Sequence, residues 1–403
     1  MQSLLYLVHR IPYPPNKGDK IRSFNLLRVL SKKYKIYLGA FIDDAYDWRY
    51  LDEVKKYCEG ILIRPLSENT AKLRSLSGFL TGSSLSIPYY KDKKMQTWVD
   101  NIVLSKGIGK IMVFSSTMAQ YVEDKKYHEC VRIVDFVDVD SDKWKQYSLH
   151  KKFPINWIYA REANKLAEYE FKICSMFYKT LFVSKNEMQH FVDLHPLQEF
   201  RVNYYCNGVD SDYFNPSQSY SNPYPENIIP IVFTGAMDYW ANEEAVSWFV
   251  NTSLQGIRKA YPEVKFYIVG SNPTESVKNL ETHEGVVVTG MVDDIRPYIR
   301  FARIIVAPIR IARGVQNKVL EAMSMARPIV ASTIALEGIE LNNNYQPFVA
   351  DTEVEFVEQC IEIINDMAYD VLQNSARECV LKYYNWDQNL KQVLNYFDNS
   401  NVS

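Results

Sequence analysis

Short continuous apolar runs alternate along this chain with longer stretches whose apolar residues recur every third or fourth position. "LLYLV" (Leu4 to Val8) is such a run, and the Pro- and Gly-rich "PYPPNKGD" after it reads as a loop. Ile21, Phe24, Leu27 and Leu30 then fall at helical spacing, with Asp19 placed to cap the helix start, and "KIYLGAFI" returns to the strand pattern. Further strands are predicted at "KIMVFSS", "VRIVDFVDV" and "TLFVS", and helices over about 156–176 and over "KNEMQHFVDL". Strands alternating with helices predict a parallel sheet covered on both faces.

After "NGVDSDYFNP" comes "SQSYSNPYPENIIP", whose Ser, Pro and Asn content marks it as the linker. A second alternating series follows, with strands "IVFTGAM", "KFYIVG", "GVVVTGMV", "RIIVAPI", "RPIVAS" and "PFVAD". Helices are expected between them at about 242–261, 294–302 and 316–325, with two or three more from Thr352 onward. The pattern predicts an α/β protein of two doubly wound, Rossmann-like domains facing a cleft. The domains expected are 1–215 and 216–385, with a final helix over 386–403 crossing back to the first.

A chain of 403 residues is long enough for two such cores, at roughly 100–200 residues per domain. The net charge of −2 conceals an asymmetry: residues 1–215 hold 32 Lys and Arg against 25 Asp and Glu, and residues 216–403 hold 14 against 23. A basic first half suits an anionic partner, either acidic lipid head groups or a phosphorylated ligand, although an uneven surface would give the same count. No window approaches the ~18 apolar residues of a spanning helix, and "SLLYLV" is too short for a signal-peptide core. The six cysteines (Cys58, Cys130, Cys174, Cys206, Cys360 and Cys379) form no CxxC pair and have no His partner at metal spacing, so they read as reduced thiols. A cytoplasmic protein is expected, with any membrane contact peripheral, at the inner face. No nucleic-acid partner is expected.

The stretch "RGVQNKVLEAMSMARPIVAS" lies between two predicted strands and forms the loop and helix of a βαβ unit. Ligands bind beyond the carboxyl ends of such strands, and backbone N–H groups at Gln316 and Asn317 would cradle a diphosphate there. Gly314 lets the loop backbone approach closely. Arg310, Arg313 and Lys318 would stabilise charge growing on a departing diphosphate. Glu321, one turn further in, can accept two hydrogen bonds from the vicinal hydroxyls of a ribose. The alternative is that Glu321 simply pairs with Lys318 or solvent.

With these pieces in order, the second half resembles the nucleotide-binding domain of GT-B-fold glycosyltransferases of the glycosyl group 1 (family 4) type. "NGVDSDYFNP" is similar to the segment at the domain hinge, placing Asn207 and Gly208 at the cleft, and "VFTGAMDYWANEEAVSWF" resembles the first strand, loop and helix of the donor domain. "FYIVGSNP", "VVVTGMVDDIRPYIRFARIIVAPI" and "GVQNKVLEAMSMARPIVAS" follow in the expected order. "HRIPYPPNKGDKIRSFNLL" and "DFVDVDSDKW" add likeness to sugar transferases associated with bacterial exopolysaccharide and exosortase systems. The resemblance implies that Glu321 binds the nucleotide ribose, that Asn317 and Lys318 lie at the diphosphate, and that Gly235 to Met237 form the loop over the donor. Three departures stand out. Arg313 occupies the first position of the usual Glu-x7-Glu pair, Ala326 stands where "AMAxG" has its glycine, and the Arg and Lys that many relatives carry after their first donor-domain strand are missing from "TGAMDYWAN". The cations of the 310–318 loop are expected to replace them electrostatically.

Three further groups are candidates in the first half. Lys17, Gly18 and Asp19 open the first helix and would face the cleft, where similar enzymes close a loop on the donor phosphates, although an ordinary turn reads the same way. His9 ends the first strand and either faces the cleft or packs as a core histidine. Asp135, Asp138, Asp140 and Asp142 cluster at a strand end. Asp138 and Asp140 could hold or deprotonate an acceptor hydroxyl, or cap the helix that follows. An Asp-x-Asp metal site is the weaker reading, because the ribose and diphosphate features fall in the other domain, so no metal or cofactor is expected. Finally, Leu73, Leu76, Phe79, Leu80 and Tyr89 alternate with Lys72, Arg74, Lys91, Lys93 and Lys94, a mixture suited to a helix lying on anionic lipid or packed on its own domain.

The function this implies is transfer of a sugar from a UDP- or GDP-linked donor to a lipid-linked glycan acceptor, in cell-surface polysaccharide synthesis. The resemblance alone implies a retaining, metal-independent, hexosyltransferase-like enzyme. A nucleotide-sugar epimerase of the same fold, or a non-catalytic GT-B subunit, are the alternatives.

Overall fold

Each half of the chain folds its alternating strands and helices into one all-parallel sheet. The computed structural model describes residues 1–15, 18–311, 315–341, 345–366 and 369–399, with the backbone alone over 369–373. The chain divides into two units: Met1–Tyr205 together with the chain from Leu390, and Cys206–Asn389. The polypeptide thus passes between units twice. The Ser- and Pro-rich stretch expected as the linker is not a crossing point. Tyr220 and Tyr224 pack it onto the core of the second unit, and Tyr224 donates its hydroxyl to the Tyr298 carbonyl at 2.6 Å.

The first unit holds β1 (Ser3–Val8), β2 (Lys35–Ile42), β3 (Gly60–Pro65), β4 (Lys110–Phe114), β5 (Val131–Val137), β6 (Lys179–Phe182) and β7 (Val202–Tyr204), in the order β3-β2-β1-β4-β5-β6-β7. β1 is an apolar run because it is central: Leu5 pairs with Tyr37 on one side and Ile111 on the other, and Leu4 to Leu7 are fully buried. β3 and β7 carry little sequence signal. β3 is a half-buried edge strand, and β7 spans three residues.

Across this core runs a buried ion pair. Arg22, on helix Gly18–Ser31, is fully buried and holds Asp135 of β5 through Nε at 2.8 Å and Nη2 at 3.2 Å. It also donates to the Phe182 and Tyr205 carbonyls and stacks on the Tyr205 ring at 3.5 Å. A desolvated arginine is tolerable only when its donors are satisfied, and these partners do that. The same helix begins at Gly18, so Asp19 is in its first turn rather than capping it.

The second unit holds β8 (Ile229–Thr234), β9 (Val264–Val269), β10 (Val286–Gly290), β11 (Ile304–Ala307), β12 (Ile329–Ala331) and β13 (Phe348–Val349), in the order β10-β9-β8-β11-β12-β13. Ile231, Phe233, Val246, Phe249, Phe266, Val306 and Leu320 fill its core. The helix expected over 242–261 is two helices, Trp240–Asn251 and Ser253–Ala260. The break falls at Thr252, whose hydroxyl donates back to the Trp248 carbonyl at 2.7 Å, the kind of local bond that competes with helix continuation. The strand at "PFVAD" shrinks to two residues. In both units the strand order reverses beside the first strand, so β1/β4 and β8/β11 mark the switch points where a doubly wound sheet opens at its carboxyl edge.

Candidate functional site

At the β8/β11 switch point the chain bends tightly after β8. Gly235 N–H donates to the Val269 carbonyl at 3.1 Å, and Met237 N–H to the Ser271 carbonyl at 2.8 Å. This laces the loop to the end of β9. A Cβ on Gly235 would come within 2.7 Å of Asn242 Nδ2, and one on Gly270 would overlap the Gly235 carbonyl. Two glycines let two strand ends meet a third element. Met237 contributes only its backbone here, because its side chain is fully buried in the core.

That third element is helix Asn317–Ser324, which packs through Val319, Leu320, Ala322 and Met323. Gln316 precedes it in an extended conformation and makes no side-chain cap bond; Val319 N–H donates to the Gln316 carbonyl at 3.0 Å, so among the described residues the N–H groups of Asn317 and Lys318 are left for another acceptor. Lys318 is 9% exposed. Its Nζ donates to Asn242 Oδ1 at 2.5 Å and lies 4.1 Å from the centre of the Phe233 ring. Burial pulls the Lys318 ammonium down to about 7, with the Glu321 charge working against the shift. Burial likewise pushes the Glu321 carboxyl up to about 7, opposed by Lys318. Among the described residues Glu321 forms no side-chain hydrogen bond and no ion pair within 4 Å. The alternative of a pair with Lys318 therefore takes the form of charge attraction without direct contact, and the carboxylate oxygens remain available to solvent or a ligand.

The other expected donor-site residues scatter. Arg310 is half-exposed, pairs with Glu244 at 3.3 Å and lies over the Trp248 ring at 5.6 Å, so it is directed toward helix Trp240–Asn251. Asn317 Oδ1 accepts a long hydrogen bond from Asn207 at 3.4 Å, which brings the segment resembling a hinge to the helix start. Gly208 has a packing role, since a Cβ there would strike Tyr384 and Trp386. Arg313, Gly314 and Lys17 lie outside the described residues.

At the first unit's switch point His9 stacks on Phe114 and meets Tyr90 edge-on, each at 5.9 Å. Its Nε2 is 3.4 Å from Asp19, and its buried Nδ1 has no hydrogen-bond partner among the described residues. Asp19 also receives Arg10 at 2.8 Å. Burial opposes it, but the bond from His9 and the two neighbouring charges hold the Asp19 carboxyl well below the usual carboxylate range. Gly18 is exposed, with open space around it. Asp138 and Asp140 do not cap the helix Asp140–Leu149. Val139 occupies the cap position, and Lys143 reaches back to Asp138 at 2.7 Å and Asp140 at 3.2 Å. Asp138 Oδ1 is buried without a hydrogen bond. Asp135, in the same cluster, is taken up by Arg22.

Sequence reasoning missed Asn242. A signal existed: Asn242 shares a helical face with Ala245, Val246 and Phe249, all fully buried, so a polar residue interrupts a core stripe. Its Nδ2 donates to the Ala236 carbonyl at 2.8 Å, so one amide ties together the β8 loop and Lys318.

Residues 229–366 match the family described as Glycosyl transferases group 1. No curated protein matches the chain by sequence. Among solved structures, a glycosyltransferase from Rickettsia africae ESF-5 is similar at a TM-score of 0.67 and 15% identity, covering 100% of both chains. Sucrose-phosphate synthase from Thermosynechococcus elongatus reaches 0.73 at 14% identity over 98% of each chain. Anabaena HepE in complex with UDP and glucose reaches 0.67 at 12% identity, over 99% of this chain and 100% of its own. Two all-parallel α/β sheets with these likenesses are the GT-B fold class.

Proposed function

We propose that this chain, which carries a group 1 glycosyl transferase region over residues 229–366, moves a sugar from a nucleotide-sugar donor to a glycan acceptor. One observation carries the reading. A buried lysine and a helix N-terminus without a side-chain cap meet at the carboxyl edge of β8, and one turn away the Glu321 carboxylate has no hydrogen bond among the described residues. Cation and N–H donors suit a diphosphate, and the carboxylate suits ribose hydroxyls at the distance one helical turn provides. The donor would be UDP- or GDP-linked, as HepE is described in complex with UDP-glucose.

In the reaction an acceptor hydroxyl oxygen bonds to the anomeric carbon as the bond from that carbon to the diphosphate breaks, and the hydroxyl proton passes to the departing diphosphate. The Lys318 ammonium and the backbone N–H groups of Asn317 and Lys318 offset the charge left on the diphosphate. We assign retention of configuration and metal independence on the family likeness, and a lipid-linked acceptor in cell-surface polysaccharide synthesis on the basic first half. Asp138, with Asp140 beside it, would hold the acceptor hydroxyl. Among the described residues no helix is long and apolar enough to cross a membrane, so contact with a lipid-linked acceptor at the cytoplasmic face would be peripheral.

Calorimetric titration with UDP and with GDP tests this, with Glu321→Ala as control. Binding of one nucleotide, lost in the variant, supports the donor site and names its base. Absence of binding at millimolar nucleotide would favour a scaffold subunit. Conversion of a nucleotide-sugar without any acceptor would favour an epimerase.

A further inference from the structure

Outside the donor site, the largest unexplained feature is a concentration of exposed apolar side chains on the first unit. Leu73 (72% exposed), Leu76 (51%) and Leu80 (90%) follow one another at spacings of three and four along helices Glu68–Ser75 and Ser77–Thr81, which places them on one face. Leu149, Phe153, Ile155 and Trp157 form a second exposed set, between helix Asp140–Leu149 and the start of helix Ile155–Met176. The fold joins the two sets. Phe79 stacks on Trp157, with ring centres 6.3 Å apart and planes 7° from parallel. Arg161 lies over Phe79 and donates to the Gly78 and Ser83 carbonyls, and Glu162 accepts from Ser84, Leu85 and Ser86. These bonds fix the two segments to each other and leave their large apolar groups outward.

The charge around this surface is mostly of one sign, with Glu68 at its edge paired to Lys72 at 2.6 Å. Residues 69–89 and 143–161 contain seven Lys and Arg and no Asp or Glu. Arg74 and Arg161 are engaged with backbone carbonyls, and Lys143 with Asp138 and Asp140. Lys145, Lys151 and Lys152 are exposed beside the apolar groups. Leucine, phenylalanine and tryptophan flanked by these lysines, unpaired among the described residues, and with Glu68 neutralised by Lys72, match the boundary between acyl chains and anionic head groups. A protein partner with complementary acidic groups would bury the lysines against carboxylates, but would leave side chains as prominent as Leu80 and Phe153 unexplained.

We infer that the 73–80 and 149–157 segments together form a docking surface for an anionic phospholipid bilayer, entered by Leu76, Leu80, Phe153 and Trp157 and rimmed by Lys145, Lys151 and Lys152. The inference deepens the reading of a membrane-borne acceptor and rests on it for its purpose. Its test requires neither donor nor acceptor.

The full chain is floated with vesicles of phosphatidylcholine, and with vesicles of equal parts phosphatidylcholine and phosphatidylglycerol. Retention on the anionic vesicles alone is expected, weakening with salt. Leu76→Ser with Leu80→Ser should weaken it by about tenfold or more, since both side chains are exposed and their loss removes apolar area without opening the core. Lys151→Gln with Lys152→Gln should weaken it while steepening no other property. Nucleotide binding by the same variants should stay unchanged, which separates a failure here from a failure of the donor site. Equal retention on both vesicle types, no retention on either, or unchanged retention of the leucine variant would overturn the proposal. So would a dimer that dissociates in the leucine variant, which would assign the surface to a second copy.

Discussion

Lys318 and Asn242, 76 positions apart in the chain, meet at the carboxyl edge of β8, where the lysine Nζ donates to the asparagine Oδ1 at 2.5 Å. This contact places a cation where "TGAMDYWAN" itself supplies none. The helix Asn317–Ser324 brings the lysine from the opposite side of the switch point, and the helix after β8 supplies only a neutral acceptor to hold it. Asn242→Ala should therefore weaken UDP or GDP binding by about tenfold, the value of roughly one hydrogen bond to a charged group. Lys318→Met should weaken it further, and the double variant should be no worse than Lys318→Met. Calorimetry on the three variants decides this; additive losses would mean that Asn242 acts on the loop and not through the lysine.

Nucleotide affinity should depend on pH with a maximum near 7. Burial pulls Lys318 down to about 7, and in the proposed site it would meet a diphosphate as the ammonium, so affinity should fall as pH rises above that value. Burial raises Glu321 to about 7, and in the proposed site it would accept ribose hydroxyls best as the carboxylate, so affinity should fall on the acid side too. Binding near neutrality should draw a proton onto Lys318 and release one from Glu321, so the net exchange nearly cancels. Titrations in two buffers of different ionisation enthalpy would read the exchange: Lys318→Met should unmask the release and Glu321→Gln the uptake.

Glu321 should cost stability at neutral pH and above. Its carboxyl is raised from 4.5 to about 7 in the fold, so the protonated native state is favoured below 4.5 and that advantage is lost as pH rises through 7. Glu321→Gln should therefore stabilise the protein by roughly 2 kcal/mol at pH 8 and by little at pH 4. Lys318 acts with the opposite sign: its ammonium is depressed from 10.5, so stability gains between about 7 and 10.5 as pH rises. Urea denaturation at both pH values checks the glutamate.

Ala326 ends the helix Asn317–Ser324 at a positive φ of 51°, and the next N–H, that of Arg327, bonds back to the Ala322 carbonyl at 3.0 Å. This is the position where the sequence departs from the glycine of its resemblance. Ala326→Gly should raise stability by about 1 kcal/mol, because glycine enters the left-handed region without steric penalty. A lowered melting temperature would show that the gain in backbone freedom of the unfolded chain outweighs the relieved strain.

Arg22→Met would leave Asp135 charged and buried without its guanidinium. A loss of about 3–5 kcal/mol is expected, measured by thermal unfolding, with nucleotide binding by the second unit retained. Pairing it with Asp135→Leu should restore much of the loss, since an apolar pair of similar volume needs no desolvation.

The sequence by itself determined the α/β alternation, the two doubly wound sheets and the helix that carries Lys318 and Glu321. Those features are local: a buried parallel strand is an apolar run, and a helix over a sheet repeats its apolar residues every third or fourth position, whatever surrounds it. Its reading of Asp138 and Asp140 as possible caps did not survive, because Val139 takes the cap and Lys143 takes both carboxylates. Only the tertiary structure decided which distant groups become partners. Asn242 with Lys318, Arg22 with Asp135, and Phe79 with Trp157 are each separated by dozens of residues, and nothing periodic in a sequence encodes such a pairing. The order of the strands in the sheet sets those contacts, since it fixes which loop ends share an edge and which apolar faces are left outside the core.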